Sequence, residues 1–172
     1  MQSQGTLIFF CGKMGAGKST RSRQLAQELN AILISEDEWL SQLYPQEIQG
    51  IADYIHYSRR LKGLLKQHLV ALLKAGLSVV MDFPANTKTQ RAWFQDLIRE
   101  QGIAYRFIYL DVDDQTCLAR IAQRRQAEPD RAPFDTEAMF HEVTRLFEPP
   151  TADEGWDVEV IHPSPATQAP NG

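Results

Sequence analysis

An apolar run, Leu7 to Cys11, leads into Gly12-Lys13-Met14-Gly15-Ala16-Gly17-Lys18-Ser19-Thr20, after which Leu25, Ala26 and Leu29 recur at helical spacing. Strand, glycine-rich loop and helix follow in the order that a phosphate-binding P-loop requires. The residue types fit that chemistry. A polyphosphate carries several negative charges, and a loop with little side-chain bulk lets consecutive backbone N–H groups turn inward around it. Gly12, Gly15 and Gly17 are expected to supply permissive φ angles and close approach, with Lys13, Met14 and Ala16 completing the loop. The helix starting near Gly17 aims its positive end at the same phosphates. Lys18 would neutralise the β and γ oxygens, Ser19 would offer a hydroxyl to Mg²⁺, and Thr20 would sit near the α-phosphate. The loop leaves open whether the phosphate is moved to a substrate, moved to water or only held.

The remaining chain alternates strands and helices. Ala31–Ile34 reads as a second strand running into Ser35-Glu36-Asp37-Glu38, where Ser35 and Glu38 match a capping box for a helix from Glu36 to Leu43 that Pro45 closes. Residues 46–75 carry Tyr54, Tyr57, Leu61, Leu64, Leu65, His68 and Leu72 three and four apart, which predicts one long helix stopped by Gly76. That stripe makes Tyr54, Tyr57 and His68 core residues. A third strand, Leu77 to Met81, ends at Asp82, followed by the loop Phe83 to Asn86. Thr87 and Gln90 cap a helix carrying Trp93, Phe94, Leu97 and Ile98, and Gly102 ends it. A fourth strand, Tyr105 to Leu110, precedes a helix capped by Asp113 or Asp114 and carrying Leu118, Ile121 and Ala122. Arg124 to Pro133 reads as an exposed flap, Thr136 to Phe147 as a last helix, and Val158 to Ile161 as a fifth strand. The pattern predicts a three-layer α/β/α domain, residues 1–162, with a five-stranded parallel sheet and a small flap. Residues 163–172 have nothing to bury and are expected to be disordered. The carboxyl ends of the first three strands would bring the P-loop, Asp37 and Asp82 together, which argues for one active site.

Composition narrows the partners. At 172 residues the chain suits one core, and 18 Lys plus Arg against 22 Asp plus Glu, net −4, argues against a nucleic-acid surface. Met1 to Gly5 lacks the features of a signal peptide, and no apolar run approaches a membrane span, so a cytoplasmic protein is expected. Cys11 and Cys117 form neither a metal spacing nor a disulfide framework. Oligomeric state leaves no readable signal.

The GKMGAGKST loop, Ser35 to Trp39, Asp82 to Asn86, and Leu118-Ala119-Arg120-Ile121-Ala122-Gln123-Arg124-Arg125 together resemble the small P-loop kinases of the AAA-type ATP-binding P-loop NTPase superfamily. More narrowly, they resemble the zeta-toxin-like group that includes chloramphenicol phosphotransferase, gluconate kinase and the kinase half of polynucleotide kinase. The similarity runs over about residues 5–162. It implies a nucleoside/nucleotide kinase-like fold using ATP and Mg²⁺. By this resemblance Asp37 receives the proton of an acceptor hydroxyl, Arg120 lies against the adenine, and Arg124 clamps the transferring phosphoryl group. A carboxylate at a helix N-terminus is ionised but a weak base, so Asp37 would act chiefly by aiming the nucleophile, which a loose phosphoryl-transfer transition state tolerates. Asp82, after an apolar strand, would hold a Mg²⁺-bound water, and Phe83 stands where many ATPase motors carry a water-activating acid. The competing reading of Arg120, Arg124, Arg125 and Arg131 is a solvated face offset by Asp111, Asp113, Asp114 and Glu128. Asp53, Tyr57 and Arg60 are candidate acceptor contacts, while Trp39 and Trp93 either wall the pocket or pack. The expectation is an ATP- and Mg²⁺-dependent phosphotransferase acting on a hydroxyl of a small molecule of the antibiotic, sugar or nucleoside class. The alternatives are a polynucleotide 5′-hydroxyl kinase and a zeta-toxin-like nucleotide-binding regulator.

Overall fold

Every residue of Leu7–Cys11 is buried, on both faces of the strand, so it must run through the middle of a sheet covered by helices on both sides. The computed structural model, which describes residues 3–163, has that arrangement. The disordered tail expected over 163–172 lies, apart from its first residue, outside the described residues. Five parallel strands, β1 (Leu7–Cys11), β2 (Ile32–Ser35), β3 (Val79–Pro84), β4 (Tyr105–Leu110) and β5 (Val158–Ile161), are ordered β2-β3-β1-β4-β5. The helices are α1 (Lys18–Glu28), α2 (Glu36–Leu43), α3 (Ile51–Lys74), α4 (Lys88–Gln101), α5 (Asp114–Ala127) and α6 (Glu137–Thr144).

Alternation along β1 divides the core. Leu7, Phe9 and Cys11 join Leu40 of α2, Leu61, Leu65, Leu69 and Leu73 of α3, and Phe94 and Leu97 of α4. Ile8 and Phe10 face Leu25 and Ala26 of α1, Cys117 and Ile121 of α5, and Phe140 of α6. Phe9 is the aromatic hub, stacked at 4.2 Å on Phe94 and 4.8 Å on Phe107, each contact adding about 0.5–1.5 kcal/mol to simple burial. No helix of the described residues is long and apolar enough to cross a membrane.

The three-layer architecture matches the sequence expectation, and several boundaries move. The long helix begins at Ile51 rather than 46, because Gln49 donates its amide to the Asp53 carboxylate in a turn before it. Its buried stripe runs through Leu61, Leu65, Leu69 and Leu73 at four-residue steps. His68 is therefore exposed rather than core, and Leu64 is 75% exposed, because only one face of the helix meets the sheet. Strand β3 starts at Val79 and continues through Asp82 to Pro84, while Leu77 closes the helix exit by donating to the Leu72 carbonyl. Ser35 accepts from the Glu38 amide at 3.4 Å, but the reciprocal half of that capping box does not form; the box at Thr87 and Gln90 is complete. Asp113 caps α5, which reaches Ala127, so Arg124 and Arg125 lie in its last turn rather than in the flap. The lid is only residues 128–136, including a 3-10 turn at Pro129–Arg131, and the last helix ends at Thr144 rather than Phe147.

A guanidinium locks these layers together. Arg91 of α4, 1% exposed, donates from Nε and Nη2 to the Glu154 carboxylate at 2.6 and 3.1 Å. From Nη1 it donates to the carbonyls of Ala85 at 3.0 Å and Glu148 at 2.8 Å. Removing one partner of a buried charged pair leaves the other desolvated and unpaired. Arg91→Met should therefore lower stability by about 3–5 kcal/mol and the melting temperature by roughly 10 °C, read by calorimetry. A change within experimental error would show that Arg91 is not the lock described.

Candidate active site

The loop after β1 takes its shape from two glycines with positive φ and one that is packed tight. Gly15 sits at φ +81°, and a Cβ there would lie 2.6 Å from the Cys117 carbonyl oxygen of α5. Gly17, at φ +98°, is the left-handed N-cap of α1. Gly12 has no positive φ, so of the two services expected of these glycines it supplies only the close approach. Its missing side chain leaves room for the Leu110 carbonyl oxygen, 3.1 Å from where a Cβ would lie.

Three contacts hold the loop against its neighbours. The Gly12 amide donates to Asn86 Oδ1 at 2.9 Å, while the Asn86 amide donates to Gln90 Oε1 at 2.8 Å. Lys13 Nζ reaches Asp114 at 2.7 Å, and Arg120 Nη1 donates to the Ala16 carbonyl at 3.0 Å. Both link the loop to α5. Arg120 thus lies against the phosphate loop itself. Met14 packs on the α1/α5 side of the core, Ser19 is half-buried and Thr20 is exposed.

Lys18 folds back so that its ammonium donates to the carbonyls of Gly12 and of Lys13, the latter at 3.2 Å. Burial pulls its pKa below the ordinary lysine value, partly countered by Cys11, Asp82 and Asp37. Asp82 pairs in register with Ser35, which brings the first turn of α2 beside β3. Burial raises the Asp82 pKa and Asp37 adds to the rise, while the Ser19 hydroxyl, Lys18 and Arg23 lower it. The fold therefore gathers Lys18, Ser19, Asp37 and Asp82 within one electrostatic neighbourhood, with Asp37 exposed at the start of α2. Ser19 and Asp82 are hard oxygen donors, and a divalent cation beside them would relieve the excess of acids. Among the described residues no three His, Cys, Asp or Glu side chains converge as a metal cage. That donor set fits Mg²⁺, which keeps several waters and takes one or two carboxylates plus substrate phosphates.

The adjacent acid behaves differently. Glu36, the first residue of α2, is 1% exposed and accepts hydrogen bonds from the Tyr54 hydroxyl and from Ser58 Oγ at 2.6 Å, both on α3. Burial raises its pKa above the ordinary 4.5; Ser58, Tyr54 and Lys62 counter this, and Asp37 adds to it. Tyr54 is thus partly core, as expected, but also a polar tie between α2 and α3. Tyr57 packs on Tyr44 with ring centroids 4.2 Å apart and planes tilted by 33°, Asp53 accepts from the Gln49 amide, and Arg60 is exposed. Trp39 is exposed on α2, and Trp93 packs against Phe94 with Lys62 5.8 Å from its ring.

On the other flank, Arg124 donates through Nε and Nη2 to the two oxygens of Asp135, both at 2.8 Å, and Arg131 Nε joins them at 3.1 Å. Neither reading of the arginine cluster anticipated this partner, since Asp135 is buried and absent from the acids offered against it. The i, i+4 spacing of Arg131 and Asp135 was the available signal. Glu36, Arg91, Asp135 and Glu154 were all legible as residues but not as partners. Cys11 is buried at the end of β1, and burial pushes its thiol up to about 12.

Comparison with known proteins places the chain in a family and a fold. Residues 7–150 match the family model described as AAA domain. In sequence the chain is 23% identical over 164 residues to the Protein KTI12 homolog of Arabidopsis thaliana, covering 94% of this chain and 53% of that protein. The chain thus spans about half the length of that curated relative. In structure it resembles the APS kinase of Mycobacterium tuberculosis solved with AMPPNP and APS. The TM-score is 0.65 at 20% identity, covering 94% of this chain and 90% of that one. It equally resembles Kti12 of Chaetomium thermophilum solved with ADP-AlF3, at TM-score 0.65 and 17% identity, covering 91% and 88%. At these identities the likeness establishes a shared fold.

The buried carboxyl carries a pH signature of defined sign. A pKa raised on folding contributes stability that is fully present below the unfolded value and is lost as pH rises through the folded value. Glu36→Gln should therefore gain melting temperature relative to the parent as pH rises from about 4.5 to about 8, because Gln cannot ionise. A difference that stays flat across that range would show that Glu36 is not held in an unfavourable environment.

Proposed function

The chain belongs to the AAA-domain family of P-loop NTPases, and on that premise we propose that it is an ATP- and Mg²⁺-dependent phosphotransferase acting on a hydroxyl of a small molecule. The observation that carries this reading is the meeting of Asp37, at the start of α2, with Lys18, at the start of α1, and Asp82, near the carboxyl end of β3. Ligands bind at that edge in open α/β sheets. The narrower resemblance to the zeta-toxin-like and chloramphenicol phosphotransferase-like kinases supports carrying the acceptor role to Asp37.

The roles follow from the chain's own groups. Asp37 orients the acceptor hydroxyl and takes its proton as the new O–P bond forms and the bond between the γ-phosphorus and the bridging oxygen breaks. Lys18 leaves the loop carbonyls to meet the β and γ oxygens, exchanging one set of oxygens for a more strongly charged one. The loop of Gly12, Lys13, Met14, Gly15, Ala16 and Gly17 presents its amides to the phosphates, with Thr20 beside the α-phosphate. Arg120 lies against the nucleotide and Arg124 against the transferring group. Ser19 and Asp82 would hold Mg²⁺, which neutralises charge developing on the phosphate oxygens. The residue after Asp82 is Phe83, so no second acid follows to activate water, which favours transfer over hydrolysis. The working unit is one domain, residues 1–162, acting in the cytoplasm on an acceptor drawn from the antibiotics, sugars or nucleosides. The net charge of −4 argues against a polynucleotide acceptor.

A second reading, a nucleotide-binding regulator, has one observation in its favour: the chain is 23% identical over 164 residues to a protein named as a KTI12 homolog, a name that states no kinase activity. Acceptor-dependent ADP release across a panel of hydroxylated metabolites and antibiotics separates the two. Asp37→Ala should reduce that release by about a hundredfold or more while leaving nucleotide affinity within about twofold. Lys18→Ala should lose at least a hundredfold, roughly, together with nucleotide affinity. ADP release that no acceptor stimulates, or an Asp37→Ala variant with full turnover, would remove the phosphotransferase reading.

A further inference from the structure

Asp135 is 1% exposed and takes three charge-assisted hydrogen bonds, two from Arg124 at 2.8 Å and one from Arg131 at 3.1 Å. Its own amide donates to the Arg131 carbonyl at 2.8 Å, which fixes the carboxylate in the lid. Burial alone would raise its pKa, but the two guanidiniums more than offset this and hold the carboxyl below the ordinary aspartate range. The acid is therefore charged and is shared between two arginines, while Glu128 lies 3.7 Å from Arg131 Nε on the exposed side.

The geometry of the pairing decides what is left over. A guanidinium carries five N–H donors in a rigid plane. Asp135 takes the edge of Arg124 formed by Nε and Nη2 and only Nε of Arg131, so among the described residues Nη1 of Arg124 and both Nη groups of Arg131 have no hydrogen-bond acceptor. The side chains of Arg124 and Arg131 are 32% and 39% exposed, so those donors stay reachable. Arg120, one helical turn before Arg124 on the same face of α5, already donates to the phosphate loop at Ala16, which sets that face toward the site.

We propose that Asp135 is a positioning residue: it holds Arg124 and Arg131 as a pre-oriented pair whose free Nη donors receive the terminal phosphate of a bound nucleoside triphosphate. The inference rests on the phosphotransferase reading given above. Asp135 touches no substrate and acts through the arginines. Two long side chains that would otherwise lose their rotamer freedom on docking have lost it already in the fold. The opposite possibility, an internal anion that withholds Arg124 from the phosphate, has the opposite sign on removal.

The test is calorimetry on the whole chain with Mg²⁺ and either AMPPNP or ADP. Asp135→Asn, which keeps the shape and removes the charge, is expected to weaken AMPPNP about tenfold and ADP less than about twofold. Asp135→Glu should recover most of the loss, and adding Asp135→Asn to the Arg124→Ala, Arg131→Ala double variant should cost nothing further. The melting temperature of Asp135→Asn should stay within a few degrees of the parent, roughly. Unchanged or tighter AMPPNP binding in Asp135→Asn overturns the proposal, as does an equal loss of both nucleotides. If Arg124→Ala weakens AMPPNP while Asp135→Asn does not, only this inference fails. If Arg124→Ala is also silent, the role of Arg124 in the phosphotransferase reading fails with it.

Discussion

Arg91 carries a full positive charge into a position where 1% of its surface meets water, which is tolerable only because four of its N–H donations land on oxygens at 2.6–3.1 Å. Those oxygens belong to three segments far apart in sequence: Ala85 at the exit of β3, Glu148 after α6, and Glu154 before β5. Residue 86, next to the pinned carbonyl, is the asparagine whose side chain accepts the Gly12 amide. The conformation at the start of the phosphate loop is thus continuous, through one hydrogen bond and one peptide unit, with a buried ion pair. Cys11 lies in the field of the same guanidinium, yet burial dominates and keeps the thiol protonated.

The strand order β2-β3-β1-β4-β5 gives the site two chemically distinct flanks. Strand β1 delivers the loop at the centre. On one side, β3 and β2 bring Asp82 and Asp37; on the other, the segment after β4 brings α5 with Arg120 and Arg124. Acids and arginines therefore approach the same phosphate loop from opposite directions without neutralising each other directly. Each flank has its own internal counter-charge: Lys62 faces Glu36, and Asp135 faces Arg124.

What was legible in the sequence divides along the same physical line. Elements fixed by local periodicity, such as β1, α2, β4 and β5, appear with the residues expected of them, and the P-loop glycines and Lys18 sit in the required order. Residues whose importance depends on partners many positions away were not legible. Glu36 read only as the first residue of α2, yet Ser58, 22 residues later, makes it a buried tie. Arg124 read either as a phosphoryl clamp or as part of a solvated face offset by other acids, because nothing local marks Asp135 as its partner, 11 residues on. His68 was misread for a related reason: a three- and four-residue spacing describes a helix, but the sheet decides which of its faces is covered.

The ion pair between Arg91 and Glu154 spans 63 residues, and the bond between Gly12 and Asn86 spans 74. Closing loops of that length costs more chain entropy than forming the local contacts within each helix. Such contacts therefore belong to the late steps of folding. The phosphate cradle takes its final shape only when the segment around Glu154 docks on Arg91, so its maturation is governed by a part of the chain that never touches it.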